Sequence, residues 1–112
     1  MMNAGDIVSV DFGTPIGSEP GFTRPAMVVT ADLVLSGSPR TVHVVPITSN
    51  TTRRLPTEVE ISGTSLALPS VAQAHLCTVV SVERLVGRTE SNVGAVQLAQ
   101  VRSVLADLLD LP

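Results

Sequence analysis

Few residues in this chain could do chemistry, and one of them stands apart. Arg24 is the only basic residue before Arg40. It sits where a loose run, GTPIGSEPGFT (13–23), gives way to the apolar run PAMVVT (25–30). Pro25 fixes its own φ at about −65° and biases Arg24 toward extended backbone. An arginine mounted in this way can hold a phosphate through two parallel hydrogen bonds and stabilise charge as it develops. It can equally be a solvated cation at a strand end. The second candidate is VVPITSN (44–50), an apolar run ending in Thr48, Ser49 and Asn50. Polar groups at a strand end often carry sites, and they are also ordinary turn residues. Spacing alone does not put Thr48 beside Arg24.

Other chemistries find less support. His43, His75 and Cys77 are the soft or borderline metal ligands, and no further cluster completes a zinc set, so no metal is expected. His75 and Cys77, two apart in a strand-like run, would share a face. No phosphate loop of the GxxxxGK[ST] type is possible in a chain without lysine, and there is no GxSxG elbow. Phe12 and Phe22 are the only aromatics. Phe12 reads as core. Phe22, in the loop, could stack on a base or simply pack within the loop.

The elements that must position these groups are short. The 112 residues suit one domain, 1–112, and 44% hydrophobic residues suffice for a core without disulfides. GDIVSVDF (5–12) alternates as a strand with one face buried. PAMVVT (25–30) is a second strand, and SGSP (36–39) a turn. TVHVVPI (41–47) is a third, its inner Pro46 suggesting an edge or a bulge. TEVEI (57–61) places Val59 and Ile61 inward and Glu58 and Glu60 outward. SVAQAHLCTVV (70–80) reads as one long strand, 81–85 as a helical turn and 86–89 as a short strand. Leu98, Val101, Leu105, Leu108 and Leu109 then recur at helical spacing, with Ser91 or Asn92 able to cap the start. Short strands followed by one amphipathic helix predict a mainly β fold, a curled antiparallel sheet or barrel with a C-terminal helix over one opening.

The formal charge is −3, and all seven basic residues are arginine. Between Leu33 and Thr57 the chain carries Arg40, Arg53 and Arg54 and no acid. That is either a local positive face on an acidic protein or a set of solvated loop residues. No apolar run approaches the ~20 residues of a membrane span, and no signal-peptide pattern opens the chain. A lone cysteine fits a reducing cytoplasm.

Taken together, GDIVSVDF, the GSE loop, the R-P step, VVPITSN, LPTEVEI and SVERL before a terminal helix resemble the MazF/PemK family of toxin endoribonucleases, in order and over nearly the whole chain. The resemblance implies a CcdB/PemK-like, SH3-like antiparallel barrel, usually homodimeric. It also implies metal-independent, sequence-specific cleavage of single-stranded RNA without a cofactor, and a MazE-like antitoxin partner whose acidic tail occupies the RNA groove. Carried over, Arg24 and Thr48 are the catalytic pair, with Ser18 and Glu19 bordering the groove. Phe22, Ser49, Asn50, Arg53 and Arg54 complete the candidate RNA-binding set, and His75 could serve in acid–base steps or in binding. One departure stands out. An acid-Gln-apolar-Arg run common in the family is replaced by His75, Leu76, Cys77 and Thr78.

The implied chemistry suits these residue types. If the RNA's own 2′-OH attacks the adjacent phosphorus, the protein needs only to align the attack and stabilise phosphate charge. Products would be a 2′,3′-cyclic phosphate and a free 5′-OH. Two other readings share the sequence: a gyrase poison of the CcdB type on the same scaffold, and an SH3-like interaction module. The latter normally needs an aromatic-lined groove, and the chain has no Trp or Tyr.

Overall fold

β-Branched side chains dominate the apolar stretches, and their restricted χ1 favours extended backbone. The computed structural model describes residues 2–52 and 55–112, with 88–90 described by backbone alone. It contains β1 (Asp6–Asp11), β2 (Thr23–Val28), α1 (Asp32–Leu35), β3 (Thr41–Thr48), β4 (Glu58–Ile61), β5 (Ser70–Gln73), β6 (Thr78–Ser81), β7 (Leu85–Asn92) and α2 (Gly94–Leu108). All pairings are antiparallel, in the order β4-β5-β3-β2-β1-β7, with β6 also on β3. The result is a curled half-barrel with one terminal helix, as the order of elements predicts.

β3 is the spine. One of its edges pairs with β2 through Val28↔Val44, Met27↔Val45 and Ala26↔Pro46. The other edge pairs with β6 over Thr41–Val44 and with β5 over Ile47–Thr48. The Val29 N–H donates to the His43 carbonyl (3.0 Å). In an antiparallel ladder bonding direction alternates, so the backbone at residues 44 and 46 faces the β5/β6 edge. Pro46 therefore falls between the two partners on that edge, where no donor is needed. It marks a change of partner within a central strand rather than the edge or bulge expected from sequence.

Ile7, Val10, Met27, Val28, Val44, Val45 and Val101 are fully buried and form the centre of the core. α2 contributes Leu98 and Val101, whereas Leu108 and Leu109 of the same apolar stripe stay exposed. Two polar contacts fix the helix. Gln97 accepts from the Ser62 N–H and donates to the Ser62 carbonyl (both 2.8 Å), and Arg102 Nη2 donates to the Val29 carbonyl (3.0 Å). Asn92 Oδ1 accepts from the Gly94 N–H (2.8 Å) at the helix start, while Ser91 Oγ instead accepts from Ser65 N–H. Among the described residues, no helix is long and apolar enough to cross a membrane.

Three local expectations change. The run 70–80 is not one strand: a 3-10 turn at Ala74–Leu76 separates β5 from β6. His75 sits in that turn and Cys77 follows it, so the two do not share a strand face. Glu58 keeps the face opposite Val59 and Ile61 but is only 8% exposed rather than solvated, and its Oε1 accepts the Leu55 N–H (2.8 Å). The one-turn helix α1 arises where the sequence offers no periodic signal; its Leu35 is buried and Asp32 Oδ1 accepts the Ala4 N–H (2.8 Å).

Candidate active site

β1 and β2 are joined by the loop 12–22, which is closed as a hairpin by Phe12 N–H to Phe22 O (2.9 Å) and Phe22 N–H to Gly13 O (2.7 Å). Within it, Glu19 Oε1 accepts the Ile16 N–H (2.9 Å), tying the tip to itself. Gly21 packs against Pro15 so closely that a Cβ would lie within 2.7 Å of the Pro15 Cβ and nearer still to its Cγ and Cδ. The Gly21 carbonyl accepts from Arg24 Nε (3.1 Å). The packed end of the loop thus aims the guanidinium. Among the described residues this is the only protein group hydrogen-bonded to Arg24, so both terminal nitrogens are available to a ligand. Arg24 itself is half-buried.

Thr48 ends β3. The β2–β3 register, continued two residues past Ala26↔Pro46, sets Arg24 opposite Thr48 on adjacent strands. Directly opposed residues present side chains on one face. Both line an open cleft of about 340 Å³ together with Pro25, Ser49, Ser70 and the wall Leu66–Leu68. Thr48 Oγ1 accepts the Asn50 N–H (3.2 Å), which leaves the hydroxyl proton free to donate outward. An anion here would meet a two-pronged cation on one side and a hydroxyl donor on the other.

The remaining candidates distribute around this pair. Ser49 lines the same cleft. Asn50 lines a second cavity of about 260 Å³ with Thr48, Leu55, Glu58 and Gln73. Glu19 lines a third, of about 180 Å³, with Phe12, Thr78 and Arg84, apart from Arg24. Ser18 is exposed on the loop, and Phe22, 65% exposed at φ +59°, holds its ring in solvent. His75 bonds through Nδ1 to Thr57 Oγ1 (2.8 Å) and lines yet another cavity, an apolar one of about 750 Å³ bounded by Val29, Val34, Cys77, Leu105, Leu108 and Leu109. Burial there pushes the Cys77 thiol above its ordinary pKa. Arg53 and Arg54 lie outside the described residues. Among those described, no three His, Cys, Asp or Glu side chains converge as a metal site would require. Sequence reasoning did not place Glu58, Gln73 or the Leu66–Leu68 wall at the site, and Leu66 and Leu68 drew notice only as surplus apolar residues of a connection. Burial of an acid at Glu58 leaves no mark in an alternating strand pattern.

A curled antiparallel half-barrel closed by one C-terminal helix is the fold of the MazF-type toxins. Within that class the assignment is direct. Residues 3–109 match the family model for the PemK-like, MazF-like toxins of type II toxin–antitoxin systems, and the chain belongs to that family. It is 37% identical over 117 residues to endoribonuclease MazF9 of Mycobacterium tuberculosis, covering 99% of this chain and 98% of the relative. The crystal structure of MazF from Deinococcus radiodurans superposes with a TM-score of 0.83 at 27% identity, covering 98% of this chain and 97% of the other. MazF from a MazE–MazF crystal structure of the same organism gives 0.75 at 25% identity, covering 99% and 97%.

Proposed function

We propose that Arg24 and Thr48 are the catalytic pair of this toxin endoribonuclease. In our reading it cuts single-stranded RNA at specific sequences by internal attack of a 2′-OH on the adjacent phosphorus. The observation that carries the reading is the opposition of the two residues on β2 and β3, lining one cleft, with Arg24's terminal nitrogens unengaged. Arg24 holds the scissile phosphate with parallel hydrogen bonds. Thr48 donates to a phosphate oxygen and fixes its orientation. As the 2′-oxygen bonds to phosphorus its proton passes to water, negative charge grows on the nonbridging oxygens, and fixed donors stabilise that growth without reorganising. The bond to the 5′-oxygen breaks, leaving a 2′,3′-cyclic phosphate and a 5′-OH, and the leaving oxygen takes a proton from Arg24 or from water. A guanidinium parts with its proton reluctantly, so charge stabilisation is its main task. The attack itself needs neither a protein nucleophile nor a cofactor.

The relatives named in complex with MazE support a partner antitoxin for this chain as well. An acidic tail laid along the cleft would meet Arg24 where RNA phosphate otherwise sits. The exposed stripe of Val34, Leu108 and Leu109 around the large apolar cavity supports a homodimer of the 1–112 domain through that face, and our reading places its action on RNA in the cytoplasm.

The test is incubation of purified protein with a long unstructured RNA in EDTA, followed by mapping of new 5′ ends. Discrete cuts bearing 5′-OH that vanish in Arg24→Ala are the expected result. Wild-type cleavage by Arg24→Ala sinks the assignment. Intact RNA together with inhibited gyrase would instead establish a poison of the CcdB type.

A further inference from the structure

Thr48 is the shared wall of two cavities: the Arg24 cleft on one side, and on the other the 260 Å³ cavity formed with Asn50, Leu55, Glu58 and Gln73. The second cavity has an unusual lining. Glu58 is a carboxylate at 8% exposure, with one oxygen held by the Leu55 N–H. Among the described residues no cation or other donor engages it. Its second oxygen is not among the atoms sealed from solvent, so it is open to the cavity, and a side chain serving packing alone would be better apolar. Gln73, on the same wall, carries an Oε1 that is sealed from solvent with no hydrogen-bond partner among the described residues. Its terminal amide turns about a soft torsion. Asn50 Oδ1 is already occupied by the Thr52 N–H and hydroxyl (3.3 and 2.7 Å), and so braces the rim. The cavity therefore sets two unmet acceptors, the second Glu58 oxygen and Gln73 Oε1, beside the donors of Thr48 and Asn50.

We infer that this cavity is a base subsite for a nucleotide flanking the cut, that it takes a base carrying an exocyclic amino group, and that Glu58 is the residue that rejects uracil. The inference rests on the RNA-cleaving reading above, since a phosphate held between Arg24 and Thr48 leaves a neighbouring nucleotide on the far side of Thr48. A carboxylate accepts only. Cytosine N4, adenine N6 and guanine N2 each supply amino hydrogens. Uracil has no amino group, and its pairing edge sets two carbonyl oxygens beside a single N–H. Uracil N3–H can donate to one carboxylate oxygen, but a carbonyl beside it would then lie against the other carboxylate oxygen with no hydrogen to bridge the two. Gln73 accepts the second amino hydrogen or an adjacent ring N–H, and its orphaned oxygen is satisfied.

The experiment digests a pool of oligoribonucleotides randomised over several positions with wild-type protein, then sequences the fragments and compares base frequencies beside the cut with those of the uncut pool. Uracil should be depleted about 10- to 100-fold at one flanking position, the range expected for a good side-chain–base pair. Glu58→Gln keeps an acceptor for Leu55 while offering an amide that can donate or accept, and should bring that depletion close to one. Gln73→Leu should lower it partway. The readout is a ratio within one digest, so a partly unfolded variant gives the same answer as a fully folded one. Uracil at every flanking position as often as in the pool, or depletion unchanged in Glu58→Gln, overturns the inference while the nuclease stands. RNA left uncut by wild type overturns the ribonuclease reading and the subsite with it.

Discussion

Gly21→Ala tests whether the loop aims Arg24, the arginine we propose to be catalytic. A Cβ at position 21 would stand within 2.7 Å of the Pro15 Cβ, and closer to two further ring carbons. Real side chains do not tolerate contacts under 3.0 Å, and ordinary contact begins at 3.4 Å. The proline ring cannot rotate away, so the backbone of the loop must yield. Clearing the ring requires a displacement of about 1 Å, and a misplacement of ~1 Å at a reacting group costs about 100-fold in rate. The displaced atom that matters is the Gly21 carbonyl, which holds Arg24 Nε. The expected result is kcat lowered by about two orders of magnitude on a labelled oligoribonucleotide, with overpacking destabilising the fold by about 1–3 kcal/mol. The double variant Pro15→Gly with Gly21→Ala removes the obstructing ring and should recover much of the rate. If Gly21→Ala cleaves as fast as wild type, or if the double variant stays as slow as the single one, the carbonyl does not position Arg24.

Thr48→Val removes the hydroxyl while keeping the branched shape, and should slow cleavage by about 100-fold, the loss of one preorganised donor; single-turnover rates decide it. Asn92→Ala deletes bonds to the Ala4 carbonyl (3.0 Å), Asp6 Oδ1 (2.9 Å) and the Gly94 N–H (2.8 Å). At roughly 1 kcal/mol each it should destabilise by about 2–3 kcal/mol, measured by urea unfolding, and an unchanged midpoint would refute the capping role. Burial raises the Cys77 pKa, so at pH 8 the folded protein carries less thiolate than the unfolded chain and should react more slowly with a disulfide reagent. The same sign makes this group's stabilising contribution complete below the unfolded thiol's pKa and progressively lost as pH rises through the folded one. Equal reaction rates in buffer and in denaturant would contradict the burial.

Strands with clean alternation or dense valine were legible because a half-buried sheet imposes that pattern, and the terminal helix because its apolar spacing is near 3.6. Arg24 and Thr48 could be chosen from sequence, but only the β2–β3 register joins them. The misread positions share a cause. Ser70 to Val80 is uniformly strand-like in residue type, and the 3-10 turn at Ala74–Leu76 lets one stretch serve two ladders, β5 with β4 and β6 with β3. Pro46 is tolerated where β3 changes neighbour, which is a tertiary fact. Glu58 keeps its outward face but is buried there beside the segment whose Leu55 N–H it accepts, a covering that alternation does not encode.

β1 pairs on one side with β2, close by in the chain, and on the other with β7, which does not begin until Leu85. That second ladder can form only after nearly the whole chain has searched for it, so non-local closure rather than helix formation should set the folding rate. Until then Ile7, Val8 and Val10 belong to a strand with a bare edge, the kind of template that pairs with other chains. A polypeptide interrupted before β7 would already contain Arg24 and Thr48, yet its dominant property would be a tendency to associate. Full-length synthesis is what separates a folded nuclease from an aggregating fragment.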